Sequence, residues 1–206
     1  MRLLPPAAAA PGAAPRFDLG VAGVVEALVF VVASAGLAYL SRRSLRAPRS
    51  HGFYRFFASE FILALLLLNW KCWFQDPVSW HQVISWLLLT ASAVLVLHGV
   101  HLLQRVGRPS EERDDDGTLI RIEKTTTLVT VGAFKYIRHP IYSSGLCLAW
   151  GVFFKNPSGP GAALALAATI FLVLMAKVEE AECIRFFGPA YLAYMKQTKM
   201  FLPFVF

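Results

Sequence analysis

The stretch WHQVISWLLLTASAVLVLHGVHLL, residues 80–103, runs for 24 residues without an Asp, Glu, Lys or Arg. A bilayer-spanning helix needs about 20 mostly apolar residues, so this stretch predicts a membrane span. The rest of the chain agrees. It is 56% hydrophobic and only 16% charged, against about a quarter charged in soluble domains, and its mean hydropathy is +0.53. These totals exclude an ordinary soluble domain. The formal charge of +7 reads as basic loops flanking membrane helices, more simply than as a nucleic-acid surface.

Working outward, the segments Phe17 to Leu40, with Glu26 inside it, and Phe56 to Phe74 predict two earlier spans. The second carries Glu60 near one end and Asn69 and Lys71 near the other. A short span is expected over Ile141 to Phe154, starting around Tyr136. A last one is expected over Gly161 to Ala176, after the turn NPSGPG. The expectation is an all-α polytopic membrane protein of about five transmembrane helices. In the tail, Ile184, Phe187, Tyr191, Tyr194 and Met195 recur at helical spacing around a Gly188-Pro189 break. That pattern predicts two short C-terminal helices lying along the interface. The Ala/Pro-rich residues 1–16 read as a disordered tail.

SRRSLRAPRSHGFYR, residues 41–55, contains five arginines and no acid, so it is expected on the cytoplasmic side. Alternation then puts the loop 104–138 and the C-terminus in the cytoplasm as well. Polar side chains gather at two places on that side. Arg138 and His139 stand with Tyr136 and Tyr142 before one span, and Glu179, Glu180 and Glu182 follow another. Joined by a hairpin, these groups would line a polar site walled by apolar helices. They would also serve as snorkelling residues that end the helices.

LVTVGAFKYIRHPIY, then an apolar hairpin, then EEAECIRFFGPAYLAYMKQTKMFLPF, resembles the isoprenylcysteine carboxyl methyltransferase family. That family's pattern has L-V-x-x-G before R-H-P-x-Y, paired glutamates, F-F-G-x-x-Y-x-x-Y and a closing L-P-F. Related membrane methyltransferases of phospholipids and some membrane sterol reductases carry similar motifs. With the tail 1–16 and an N-terminal membrane region 17–127 before it, the stretch that carries the resemblance is expected to be a cofactor-binding catalytic region, 128–206. The resemblance implies S-adenosylmethionine as cofactor. His139, Pro140, Tyr142 and Gly145 would line its pocket, with Val129, Gly132 and Tyr136 on the approaching loop. Glu179 and Glu180 would meet its ammonium or ribose hydroxyls. Arg138, the second catalytic candidate beside Glu180, would orient an acceptor carboxylate through a forked hydrogen bond. No metal is implied. In a eukaryote the family implies the endoplasmic reticulum membrane, with the C-terminus cytoplasmic.

Two departures from the family pattern stand out. Ser144 occupies the position where glycine is common, glycine following at Gly145. The loop RPSEERDDDGTLIRIEKTTT replaces the N-F-x-H element of the eukaryotic enzymes. Methyl transfer from a sulfonium is an in-line displacement in which positioning and desolvation supply most of the rate. A carboxylate acceptor is already ionised, whereas a phospholipid amine must lose a proton to a base. The expected function is therefore carboxyl O-methylation of a prenylated cysteine, as a free molecule or a protein C-terminus, or of a similar lipidic acid. The alternatives are phospholipid N-methylation, NADPH-dependent reduction of a sterol-type substrate, and a non-enzymatic membrane scaffold.

Other polar residues read more plainly. His98 and His101 share a helix face without a third ligand, so a polar helix contact is expected. EERDDDG reads as a solvated loop. Trp70, Trp73, Trp80 and Trp86 read as interfacial anchors, and the three separated cysteines as small apolar residues. Glu26 needs a partner that the sequence does not name.

Overall fold

The computed structural model describes residues 21–110 and 124–204. The tail 1–16, the start of the first span and the EERDDDG run lie outside the described residues. Seven α-helices follow in order: α1 (Val21–Leu40), α2 (Arg42–Leu45), α3 (His51–Asn69), α4 (Trp80–Arg105), α5 (Pro140–Phe153), α6 (Gly159–Phe187) and α7 (Pro189–Gln197). Among the described residues extended pairing is confined to isolated bridges, Pro109 with Thr125 and Ile137 with Lys199. The protein is an all-α polytopic membrane protein.

Four helices, α1, α3, α4 and α6, are long and apolar enough to cross a bilayer. The expected fourth span differs. α5 has 14 residues, about 21 Å at the usual helical rise, short of a hydrocarbon core of about 30 Å. It cannot start near Tyr136, because Pro140 opens the helix at its first turn. A helix end at membrane depth must satisfy its free carbonyls within the protein, and neighbouring side chains do this for α5. Asn69 Nδ2 donates to Val152 O at 2.9 Å, and Ser85 Oγ to Gly151 O at 2.7 Å. Gln82 Nε2 donates to Lys155 O at 3.2 Å, and His81 Nδ1 to Phe154 O at 3.0 Å.

Lys155 completes this end, only 1% exposed. Its ammonium lies 3.4 Å from the Trp86 ring centroid and donates to Gln82 Oε1 at 2.9 Å. A cation there also suits the negative end of the α5 dipole. The tryptophans therefore divide. Trp73 and Trp86 flank this lysine, Trp80 is exposed, and Trp70 Nε1 donates to Glu26 at 3.1 Å. Glu26 also pairs with Lys71, which supplies the partner that the sequence left unnamed. Together with Ser34 Oγ donating to Glu60 Oε2 at 2.6 Å, that pair ties the otherwise lipid-facing α1 to the α3 side of the bundle.

α6 differs from expectation too. It continues for 29 residues, about 44 Å, instead of ending at Ala176 and restarting as a separate interfacial helix. Its last turns stand beyond a hydrocarbon core and carry Glu179, Glu180 and Glu182. The break comes where Gly188 adopts φ 58° and Pro189 opens α7. α3 packs mainly on α6, and α4 mainly on α5. Small residues permit the close approach: Ala149, Ala165 and Ala168 are fully buried beside Leu65, and a Cβ on Gly151 would stand 3.0 Å from Leu89.

Candidate active site

A residue preceding proline is biased to extended backbone, and His139 sits at φ −123° before Pro140. The N–H groups of Arg138 and His139 therefore find partners outside α5. The C-terminal segment supplies them: Arg138 N donates to Lys199 O at 2.8 Å and His139 N to Met200 O at 3.2 Å. Lys199 N returns a bond to Tyr136 O at 3.1 Å. Ser143 Oγ, on the first turn of α5, donates to Phe201 O at 2.9 Å. Residues 198–201 thus form a strap that holds the Arg-His pair against the end of α6.

The side chains converge there. Arg138 Nε donates to Glu180 Oε1 at 2.5 Å, and its Nη1 to Thr198 O at 2.5 Å and Met195 O at 3.3 Å. His139, 5% exposed, has Nδ1 3.2 Å from Glu179 Oε2 and Nε2 3.4 Å from Glu180 Oε1. Its ring stacks on Tyr142 with centroids 5.2 Å apart, and the Tyr142 hydroxyl faces Glu179. Burial alone lowers the His139 pKa, but the hydrogen bonds and charges of Glu179 and Glu180 more than offset it. The ring's pKa lies above its ordinary value, which favours the imidazolium. Behind this layer His51, at the start of α3, meets Glu182 at 3.1 Å.

Two hollows meet at Leu103, Phe134, Arg138, His139 and Glu179. The smaller, about 50 Å³, lies under Leu128 and Val129 and against Tyr191 and Tyr194. Burial pushes both of these phenols up in pKa. The larger, about 250 Å³, extends between α3, α5 and α6 past Pro140, Tyr142, Gly145, Leu172 and Met175, with Arg55 on its α3 wall.

Of the residues singled out in the sequence, Arg138, His139, Pro140, Tyr142, Gly145 and Glu179 line the larger hollow, and Val129 lines the smaller. Glu180 stands behind them as the partner of Arg138 and His139. Gly132 and Tyr136 line neither hollow. Gly132 turns the chain at φ 60° against His98, whose Nε2 accepts from Ala133 N at 3.3 Å. Tyr136 is 48% exposed beside Phe204. The Ser144-Gly145 pair divides its work. Ser144 O accepts from Ser92 Oγ on α4 at 2.8 Å, while Gly145 faces the cavity. Sequence reasoning missed the α3 wall and Phe134, whose carbonyl accepts from Tyr194 Oη at 2.6 Å. The spacing of Arg55, Ala58, Ser59 and Ile62 was the available signal for that wall.

Residues 80–190, from the start of α4 to the first turn of α7, match the phospholipid methyltransferase family. The chain belongs to that family. It is 30% identical over 145 residues to human protein-S-isoprenylcysteine O-methyltransferase, an alignment covering 68% of this chain and 50% of the relative. It is 25% identical over 206 residues to methanethiol S-methyltransferase of Crocosphaera subtropica, covering 91% of this chain and 74% of that one. No solved structure matches the chain. The protein is a membrane methyltransferase of this family, and membership implies S-adenosylmethionine as methyl donor. The residues fit that cofactor chemically. Glu179 offers a carboxylate for an ammonium or hydroxyl, aromatic rings offer faces for adenine, and cations stand by for its carboxylate.

Proposed function

We propose that the protein methylates the carboxylate of a prenylated cysteine, free or at a protein C-terminus, or of a comparable lipidic acid. S-adenosylmethionine supplies the activated methyl group. The observation that carries this reading is the larger hollow. Its polar end joins Arg55, Arg138, His139 and Glu179, and its body is formed by Ala58, Ile62, Gly145, Leu172 and Met175. An amphiphile with an anionic head matches that division. In the transfer, an acceptor carboxylate oxygen bonds the methyl carbon as the carbon–sulfur bond breaks, and no proton has to move. The protein's part is positioning. The strap and Glu180 hold Arg138 and His139, Glu179 offers the cofactor a carboxylate, and apolar walls exclude water.

His139 also bears on the alternatives. Both ring nitrogens are engaged by carboxylates, and its raised pKa favours the charged form, which accepts no proton. A phospholipid amine or a thiol would need a base, so the ring supports a carboxylate acceptor. The basic loop 41–55 supports a cytoplasmic C-terminal side, in the endoplasmic reticulum membrane if the source is eukaryotic. The test is to incubate purified protein with labelled S-adenosylmethionine and prenylcysteine, phosphatidylethanolamine and methanethiol in parallel. Label in an alkali-labile ester of prenylcysteine is expected. Label confined to phosphatidylethanolamine or the thiol would overturn the proposal.

A further inference from the structure

The two hollows share Leu103, Phe134, Arg138, His139 and Glu179. Leu103 is an aliphatic wall from α4, and the three charged residues belong to the ion-pair cluster. Phe134 is different. It is 7% exposed, so its ring is a buried group at the junction. The other rings around the hollows engage one another: His139 stacks on Tyr142, Phe187 on Tyr191, and Tyr191 meets Tyr194 edge-on. Among the described residues the Phe134 ring meets no other ring and no cation. Its place is set by the backbone instead. Gly132 turns the chain at φ 60°, the N–H groups of Tyr136 and Ile137 both donate to Ala133 O at 3.1 Å, and Tyr194 Oη donates to the Phe134 carbonyl at 2.6 Å. An aromatic face is thus held where the two cavities meet.

We infer that the Phe134 ring is the contact for the positively charged sulfur of the methyl donor. The inference rests on S-adenosylmethionine as donor and adds the group that reads its charge. A sulfonium has no N–H or O–H to donate, so it cannot use hydrogen-bond acceptors as an ammonium does. An aromatic face attracts a cation without a hydrogen bond. The nearby carboxylates are already engaged, Glu180 by Arg138 and His139, and Glu179 by His139 and Tyr142. Position supports the same residue, because a methyl group moving between the hollows crosses the junction that Phe134 borders. In the transfer the methyl carbon gains its bond to the acceptor atom while the carbon–sulfur electron pair stays on sulfur. The sulfur becomes a neutral thioether and the ring loses its cation. The contact therefore favours the charged donor over the spent product and helps one replace the other.

The experiment compares S-adenosylmethionine with S-adenosylhomocysteine, which lacks both the methyl group and the charge. Each is titrated by calorimetry into the full chain in detergent. Phe134→Leu and Phe134→Met keep apolar bulk and remove the ring. Each is expected to shift the ratio of the two affinities about fivefold against S-adenosylmethionine, the scale of one cation–π contact. Phe134→Tyr keeps a ring and is expected to keep the wild-type ratio. Sinefungin, with an ammonium in place of the methyl group, is expected to weaken alongside S-adenosylmethionine, which separates charge from bulk. A ratio that moves by less than about twofold in either folded ring-less variant, below the weakest such contact, overturns the inference. So does an equal loss of both ligands, which marks a packing role, or sinefungin that follows the thioether. Wild type that binds neither nucleoside removes the cofactor reading and the inference together. Tight binding of both with an unmoved ratio removes the inference alone.

Discussion

Replacing Glu180 by Ala is the sharpest probe of the cluster, because the structure states what each neighbour would lose. Glu180 is 8% exposed and accepts from Arg138 Nε and from His139 Nε2. Breaking a buried ion pair by removing one partner typically costs about 3–5 kcal/mol. Two features here place the cost at the lower end. Arg138 keeps its bonds to Thr198 O and Met195 O, and His139 keeps Glu179 at 3.2 Å. A loss of about 3 kcal/mol follows, or about 6–12 °C in melting temperature for a chain of this size. Glu180→Ala should also weaken S-adenosylmethionine binding sharply, since Arg138 and His139 lose the group that fixes them. A melting curve in detergent and a calorimetric titration read the two effects. Adding Arg138→Met to Glu180→Ala should cost much less than the two single effects combined, because no unpaired guanidinium remains. A Glu180→Ala protein that melts within about 2 °C of wild type, below the shift expected for 1 kcal/mol, and binds the cofactor normally would refute the account.

Two further outcomes are expected. Gly132→Ala places a side chain at φ 60° with its Cβ 2.5 Å from His98 Nε2, so a destabilisation of about 1–3 kcal/mol is expected. His98→Ala should recover only the steric part, and a fully stable single variant would contradict the turn geometry. His139 supplies a pH dependence with a definite sign. Its folded-state pKa is raised, so its stabilising contribution is complete below the unfolded value of about 6.5. The contribution is lost as pH rises through the folded-state value. Melting temperature should fall over that window in wild type and change less in His139→Gln. A rise in wild-type stability that His139→Gln removes would reverse the sign and count against the ion-pair assignment.

Much of the site was legible because its residues come in short runs. Arg138, His139, Pro140 and Tyr142 are local in sequence, and Glu179 and Glu180 adjoin each other, so only a hairpin had to unite them. Gly132 and Tyr136 belong to the same run yet stand away from the hollows. A turn at positive φ points one residue at His98 and leaves the other at the surface, and spacing alone does not show this. Arg55 was visible only as a loop charge, since residues that share its hollow, such as Leu103, Arg138 and Leu172, come from distant parts of the chain.

Sequence alone determined that this chain lives in a bilayer, because the cost of burying charge and unpaired backbone in hydrocarbon leaves long apolar helices as the available form. It also determined the break at Gly188-Pro189, a property of local backbone chemistry. Tertiary structure decided that α5 stops short, because the side chains that satisfy its last carbonyls, Asn69, His81, Gln82 and Ser85, come from α3 and α4. It likewise decided that α6 carries its glutamates on a continuous helix, and that residues 198–201 return to bind the Arg-His pair. Those outcomes depend on which distant groups meet, and pairing between distant groups leaves no periodic mark on the chain.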